Sequence, residues 1–392
     1  MDPSYFLQCF SLPSSDPESI HPCLLNACYL GACIIGGRAF SPLEPFFLRR
    51  TRHFLHQALM FADRLTHFFW SSVILCCYFA RTRRMEESFA VISAAGRLAS
   101  ACGLKLTHSP RKDVENDTSV TGSLLPTPRN ENEARDRDRL AHSMYITDQS
   151  LTMLCPYPAT FPYDDRQEDE KLSLEPSKTS KSEGREAQDI WCSDENLMAS
   201  MMRIFERATV FARSVCAYGY KGNEKEYINL RDRISSHRST LPAIPDPRGL
   251  QPSEAAASFN SNILVAHATL YGSGVILHSL RAGEDFESRA ALLLCVKSLV
   301  DVSEKVRGHR RLHPVQAGLI SMIHMMNAVR ILAHELQKPE AHGNARLSAE
   351  YCDAMEILLD YLDDTISLYP AWLDAPLSLK GALITAANTL PI

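Results

Sequence analysis

Apolar residues recur at the three- and four-residue spacing of an α-helix in one segment of this chain after another, while strand-like alternation is weak. One stripe runs from Met198 to Val215, and another runs from Val315 to Leu336 directly after Pro314. A third comprises Leu347, Tyr351, Met355, Leu358, Leu362 and Ile366. About ten such segments predict an all-α protein, built as a large multi-helix domain of packed antiparallel helices.

The most apolar segment, FFWSSVILCCYFA, spans Phe68 to Ala80. Its thirteen residues are too few to cross a bilayer, which takes about 20. The N-terminus also lacks the basic region and apolar run of a signal peptide. We therefore predict a buried core helix here and no membrane contact.

Two stretches interrupt the helical pattern. His108–Asn130 is polar and interrupted by proline, and Pro162–Asp189 is crowded with charge and has almost no bulky apolar residue. Both are predicted to be flexible insertions. The expected organisation is an N-terminal helical part over residues 1–163, a disordered charged insertion over 164–189, and a C-terminal part of the same domain over 190–392.

The net charge of −5 excludes the overall basic character of a typical nucleic-acid-binding chain. Twelve cysteines are scattered without a C-x-x-C pair, which indicates a reducing compartment. Cys23, Cys28 and Cys33 are five residues apart, a spacing that spreads them around a helix. His53 and His56 share a helix face without an evident third ligand. We predict neither a zinc site nor any other cofactor in this chain.

Two motifs suggest enzymes, but neither has the sequence context it needs. GSGVIL, from Gly272 to Leu277, resembles a phosphate loop, yet it lies inside a helical run, so close helix packing is the better interpretation. DYLDD, from Asp360 to Asp364, resembles the Mg²⁺-binding motif of all-α terpenoid enzymes with its order changed, and its acids lie opposite Leu358. We predict that the chain is not an enzyme, and keep a Mg²⁺-dependent terpenoid enzyme as an alternative.

The segment Arg84–Leu104 predicts a helix that ends at Gly103 in the left-handed conformation. Arg97 is the only charge between Glu87 and Lys105, and the faces of the helix are otherwise made of small or apolar residues, which predicts burial on both sides. Because a buried guanidinium needs a partner, we expect a carboxylate or several carbonyl groups nearby. Asp148 is the favoured candidate, and the rival partners are Glu44, Asp63 and Glu86. The alternative is that Arg97 reaches solvent while Asp148 acts as a cap or faces a water-filled gap.

Taken in their order along the chain, several helical segments resemble the fungal-specific transcription factor domain, which is the middle homology region of fungal zinc-cluster regulators. The most recognisable part is a long apolar helix, a short basic turn and an Ala-rich helix that ends Gly-Leu, here Phe68–Leu106. Five other segments resemble further parts of that domain: His21–Cys33, Phe47–Leu59, Asn130–Asp165, Asn262–Ser279 and His313–Leu336.

This sequence departs from the family pattern at several positions. His142-Ser143 replaces an F-W pair, Asp148-Gln149 replaces D-R, and Cys155 replaces the loop glycine. The six-cysteine zinc cluster that precedes the domain in the family is absent from this chain. DNA binding and zinc are thus implied by the family alone, and the chain is expected to be either a truncated gene model or a regulator without its DNA-binding module.

The resemblance implies the regulatory region of a nuclear transcription factor that acts on RNA polymerase II transcription through protein or effector contacts. Its candidate partners are the transcriptional machinery or co-regulators, a small-molecule effector and a second copy of the chain. DNA would be reached only through the missing N-terminal module. The alternative is a stand-alone helical interaction protein that has lost DNA binding.

Overall fold

The computed structural model describes residues 3–13, 16, 18–36, 39–104, 125–154, 159–160, 186–219, 224–244, 261–307 and 315–367. Regular structure in these ranges is helical, with thirteen α-helices, a short 3-10 helix and no strand. The prediction of an all-α fold is confirmed.

The chain divides into two compact units, Met1–Glu175 and Pro176–Ile392. The division lies inside the segment 164–189 that was predicted as an insertion. Residues 161–185, and positions 108–124 of the other predicted insertion, lie outside the described residues. The first helix of the second unit begins at Glu186, before the predicted end of the insertion at Asp189.

The described part of the first unit holds six α-helices and the 3-10 helix Ser41–Leu43. The α-helices are α1 (Pro3–Phe10), α2 (Pro22–Ile35), α3 (Glu44–Met60), α4 (Leu65–Arg81), α5 (Met85–Ala101) and α6 (Glu131–Leu154).

Helix α4 lies at the centre of this unit, in contact with α2, α3, α5 and α6. Its large side chains Phe69, Leu75 and Phe79 are almost completely buried. The segment Phe68–Ala80 is therefore a core helix, as predicted. In the described ranges, no helix is both long and apolar enough to cross a membrane.

Helices α4 and α5 form a hairpin through the basic turn Thr82–Arg84, in which Arg83 has a left-handed φ of +63°. Helix α5 ends in the same way at Gly103, where φ is +82°. There the backbone N–H of Leu104 donates to the carbonyl oxygen of Ala99 at 2.9 Å, which closes the last turn. The predicted left-handed Gly103 is confirmed.

The described part of the second unit holds seven α-helices. They are α7 (Glu186–Tyr218), α8 (Glu224–Thr240), α9 (Ser261–Ser279), α10 (Phe286–Arg307), α11 (Val315–Leu336), α12 (Pro339–His342) and α13 (Ala345–Ser367).

Helix α9 is the central element of the second unit and contacts α7, α8, α10 and α11. Leu264, Val265 and Leu270 are at most 1% exposed and lie on three different sides of the helix. A helix enclosed on all sides has no solvated face, which explains why its sequence contains no Asp, Glu, Lys or Arg.

Candidate functional site

Arg97 and Asp148, the two residues expected to pair, lie in different environments. Arg97 is exposed on α5. Asp148 is 1% exposed, and its carboxylate accepts hydrogen bonds from the backbone N–H of Thr160 at 2.7 Å and from its hydroxyl at 3.0 Å. The predicted buried pair is wrong, because a guanidinium that reaches solvent needs no carboxylate partner.

The exposure of Arg97 follows from which face of α5 is turned toward the core. Its buried positions are Ser88, Ile92, Ser93, Ala95, Gly96 and Ala99. Its exposed positions are Glu86, Ala90, Ala94, Arg97 and Ala101. The prediction that this helix is buried on both sides is therefore wrong, because its small residues serve a close contact on one face and simply border solvent on the other.

The residues considered for zinc do not form a metal centre in the described structure. Burial raises the pKa of the Cys23 and Cys28 thiols to about 11, which disfavours the thiolate that metal binding requires. His53 and His56 are exposed on α3. Among the described residues, no group of three or more His, Cys, Asp or Glu side chains is arranged to hold a metal ion.

The acidic motif Asp360–Asp364 lies on α13 with its carboxylates toward the surface. Asp363 is exposed, and Asp360 and Asp364 are half-buried. Leu358, on the opposite side of the helix, is completely buried. The predicted orientation is confirmed for Asp363.

The glycines of GSGVIL permit close packing around α9, as predicted. A methyl group added at Gly272 would lie 2.0 Å from Nδ1 of His324, and one added at Gly274 would lie 2.5 Å from Sγ of Cys295. Both distances are far below van der Waals contact, so α11 and α10 approach the α9 backbone where only a hydrogen atom fits.

His324 on α11 is a buried polar residue that the sequence did not reveal. Its side chain is inaccessible, its ring meets that of Phe205 edge-on at 5.0 Å, and neither ring nitrogen hydrogen-bonds to any described residue. Burial lowers the pKa of His324 to about 3, so the imidazole is neutral at pH 7. A lone histidine in an apolar helical stripe carries no sequence signal that distinguishes this state.

His21, Asp63, Arg64 and His67 form a polar cluster at the start of α2. Nδ1 of His21 accepts the backbone N–H of Cys23 at 3.1 Å, and Nδ1 of His67 accepts the backbone N–H of His21 at 3.2 Å. Arg64 donates two hydrogen bonds to Asp63, at 3.0 and 2.9 Å. Burial lowers the pKa of His67 to about 4. Because these groups bind one another or the backbone, the cluster fixes the helix start and the α3–α4 connection.

Tyr227, His278 and Ser288 form a buried network in the second unit. The Tyr227 hydroxyl lies 3.1 Å from Nδ1 of His278 and 2.9 Å from Oγ of Ser288. Oγ of Ser288 donates to Asp285 at 2.6 Å, and the same carboxylate accepts the backbone N–H groups of Glu287 and Ser288. Since the serine proton is directed to the residue that caps α10, and not to the histidine, the arrangement lacks the geometry of a Ser-His nucleophile.

Glu335 of the HELQ sequence is held by cations in the second unit. Its side chain is 3% exposed, and its oxygens lie 2.7 Å from Arg289 Nη2 and 2.5 Å from Lys338 Nζ. Burial acts to raise the pKa of Glu335, but the two cations outweigh it and lower the pKa below its ordinary value. The neighbouring His334 is exposed, so the two residues face different surroundings.

Replacing Glu335 with glutamine is expected to lower the free energy of unfolding by about 1–3 kcal/mol, because a buried carboxylate that binds two cations is lost. Urea denaturation at pH 7 measures the change. The matched control is Glu350→Gln, which breaks an exposed pair with Arg346 and should cost less than about 1 kcal/mol. Equal losses for the two variants would contradict the role assigned to Glu335.

Helix α3 lies at the surface of the first unit, and large apolar side chains are exposed on it. Thr51, Leu55 and Ala58 are buried, whereas Phe46 and Met60 are exposed. Large exposed apolar side chains around this helix are Tyr29, Ile35, Phe40, Leu43, Phe46, Leu59, Met60 and Phe61. Grouped exposed apolar side chains of this kind mark interaction sites. Phe46 and Phe47 are adjacent in the sequence and point in different directions on a helix, so the pair was the available signal for an outward-facing ring.

Comparisons of this chain with protein-family models, with curated proteins and with solved structures each find no match. The fold and the described side chains together define an all-α protein with an exposed apolar and basic helix face.

Proposed function

We propose that this chain is the regulatory region of a fungal zinc-cluster transcription factor, a nuclear protein that acts through protein or effector contacts and performs no catalysis. The observation that carries the proposal is the hairpin of α4 and α5. The most recognisable part of the family pattern is a long apolar helix, a short basic turn and an Ala-rich helix that ends Gly-Leu. Here α4, Thr82–Arg84 and α5 follow in that order, with Gly103 left-handed and Leu104 buried.

Further segments of the resemblance fall on helices in the same order along the chain. His21–Cys33 falls on α2, Phe47–Leu59 on α3 and Asn262–Ser279 on α9. In the first of these, His21 accepts from the α2 backbone and Pro22 begins the helix, which gives the H-P pair a structural role. Agreement between independent segments supports the proposal more strongly than any single motif does.

The proposed role is contact with other proteins of the transcriptional machinery, with a small-molecule effector as a further candidate. With a net charge of −5, the chain offers little general attraction for DNA. DNA and zinc would be bound by the cysteine cluster that the family carries before this domain.

The test is to fuse the chain to an unrelated DNA-binding module and to measure a reporter gene in fungal cells. We expect transcription to differ severalfold from that obtained with the module alone. The matched control is a fusion that carries Gly272→Ala, which should lose the effect because the second unit is destabilised. A folded, nuclear fusion that leaves transcription unchanged would contradict the proposal.

A further inference from the structure

The outer face of α3 is defined here as Phe46, Arg49, Arg50 and Met60 together with Leu43 of the preceding 3-10 helix. It carries cations without anionic partners. Nε of Arg49 donates to the backbone oxygen of Pro45 at 3.3 Å. Within the described residues, neither Arg49 nor Arg50 forms an ion pair. Both side chains are exposed, so two positive charges face solvent side by side.

Arg50 is held in a defined orientation. Its guanidinium carbon lies 5.4 Å from the ring centre of Phe46 and 5.3 Å from that of Phe54. Its Nε donates to Oδ1 of Asn26 at 3.0 Å, which leaves the two terminal nitrogens available. A guanidinium fixed by stacked rings can bind a carboxylate through two parallel hydrogen bonds at a small entropic cost.

Arg52 on the same helix shows the opposite situation. It pairs with Glu87, and its guanidinium carbon lies 5.0 Å from the ring centre of Phe79. The structure therefore uses this arginine to join α3 to the α4–α5 hairpin. Among the described residues, Arg49 and Arg50 form no ion pair of this kind, although Nε of Arg50 hydrogen-bonds to Asn26 on α2.

Apolar side chains border Arg49 and Arg50 along the helix. Leu43 and Phe46 are 45% and 48% exposed, and Met60 is 60% exposed at the other end of the face. Arginine and aromatic side chains together are the composition that dominates binding energy at protein interfaces. A partner for this face must therefore supply both carboxylates and apolar side chains.

We propose that the outer face of α3 is a docking surface for an acidic amphipathic helix of another protein. The apolar stripe of that helix would cover Leu43, Phe46 and Met60, and its bordering carboxylates would pair with Arg49 and Arg50. A second copy of this chain fits less well, because a two-fold contact through this face would bring the same arginines together. An anionic membrane also fits less well, because such surfaces usually attract clusters of four to eight basic residues.

The identification of this partner as a transcriptional co-regulator rests on the proposed function. The binding itself depends only on the geometry of α3. Peptide binding without an effect in the reporter assay would therefore contradict the transcriptional role alone, and the reverse result would contradict this surface alone.

The test is fluorescence anisotropy of the full chain with a labelled helical peptide of about 18 residues, which has leucine along one face and glutamate along both borders. The comparison probes are the same peptide with lysine in place of glutamate, and an acidic peptide of scrambled order. The chain variants are Arg49→Glu/Arg50→Glu and Phe46→Ser. Their matched controls are Arg213→Glu and Phe286→Ser, which change an exposed arginine and an exposed phenylalanine of the second unit. Circular dichroism checks that each variant is folded.

We expect saturable binding of the acidic amphipathic peptide that weakens with salt, and that weakens about tenfold or more in each face variant and not in the controls. The double charge reversal should instead bind the lysine peptide. Equal binding of the scrambled peptide, unchanged binding by the face variants, or no binding of the acidic peptide would overturn the proposal. Sedimentation showing a dimer that Phe46→Ser dissociates, or arginine-dependent binding of the chain to phosphatidylserine vesicles in place of the peptide, would also overturn it.

Discussion

Gly272→Ala is expected to lower the free energy of unfolding by about 3 kcal/mol or more. The added methyl group would lie 2.0 Å from Nδ1 of His324, whose ring is completely buried and packed against Phe205. Overpacking of a dense core costs about 1–3 kcal/mol, and more when a rigid ring must move. Urea denaturation of the wild type and the variant measures the loss.

A double-mutant cycle tests the cause of that loss. In a His324→Ala background the ring is gone, so Gly272→Ala should cost little or should stabilise the helix by about 0.5–1 kcal/mol. The matched control is Gly283→Ala, since a methyl group there would meet nothing within 4 Å. A loss below about 1 kcal/mol for Gly272→Ala, or the same loss in both backgrounds, would contradict the packing described for α9 and α11.

Lowering the pH from 7 to 5 is expected to destabilise the protein, by about 2 kcal/mol through His324 alone. Its pKa is lowered by burial from an ordinary value of 6.5 to about 3 in the folded state. The unfolded chain therefore takes up a proton as the pH falls below about 6.5, whereas the folded chain does not until the pH approaches 3. Stability is lost across that interval. His67 and His278, each with its pKa lowered by burial to about 4, act in the same direction.

The variant His324→Leu should flatten this pH dependence by about 2 kcal/mol between pH 7 and pH 5. The substitution removes no hydrogen bond to a described residue, so the variant should remain folded. His56→Gln changes an exposed histidine and serves as the matched control. The measurement is urea denaturation at the two pH values, which avoids the more acidic range where carboxylates titrate. An unchanged pH dependence in His324→Leu would rule out the assigned cause.

Local sequence patterns determined which segments are helical and where some of them end. The apolar run Phe68–Ala80 has no polar face, so a helix formed by it must be buried. It lies at the centre of the first unit as part of α4. Gly103 ends α5 because a residue without a side chain adopts a positive φ without strain. Gly272 and Gly274, within an apolar helical run, correctly indicated close packing.

Tertiary structure alone decided which way the helices face and which polar groups meet. Helix α5 has small residues around its circumference, so its periodicity does not distinguish the face against the core from the face with Arg97 in solvent. The outer face of α3 also depends on tertiary packing. Arg50 meets Asn26 across 24 residues of sequence, and Arg52 meets Glu87 across 35, distances along the chain at which helical spacing carries no information. Helix formation follows from neighbours within one turn, whereas burial, ion pairing and the free charges of the α3 face depend on which helices pack together.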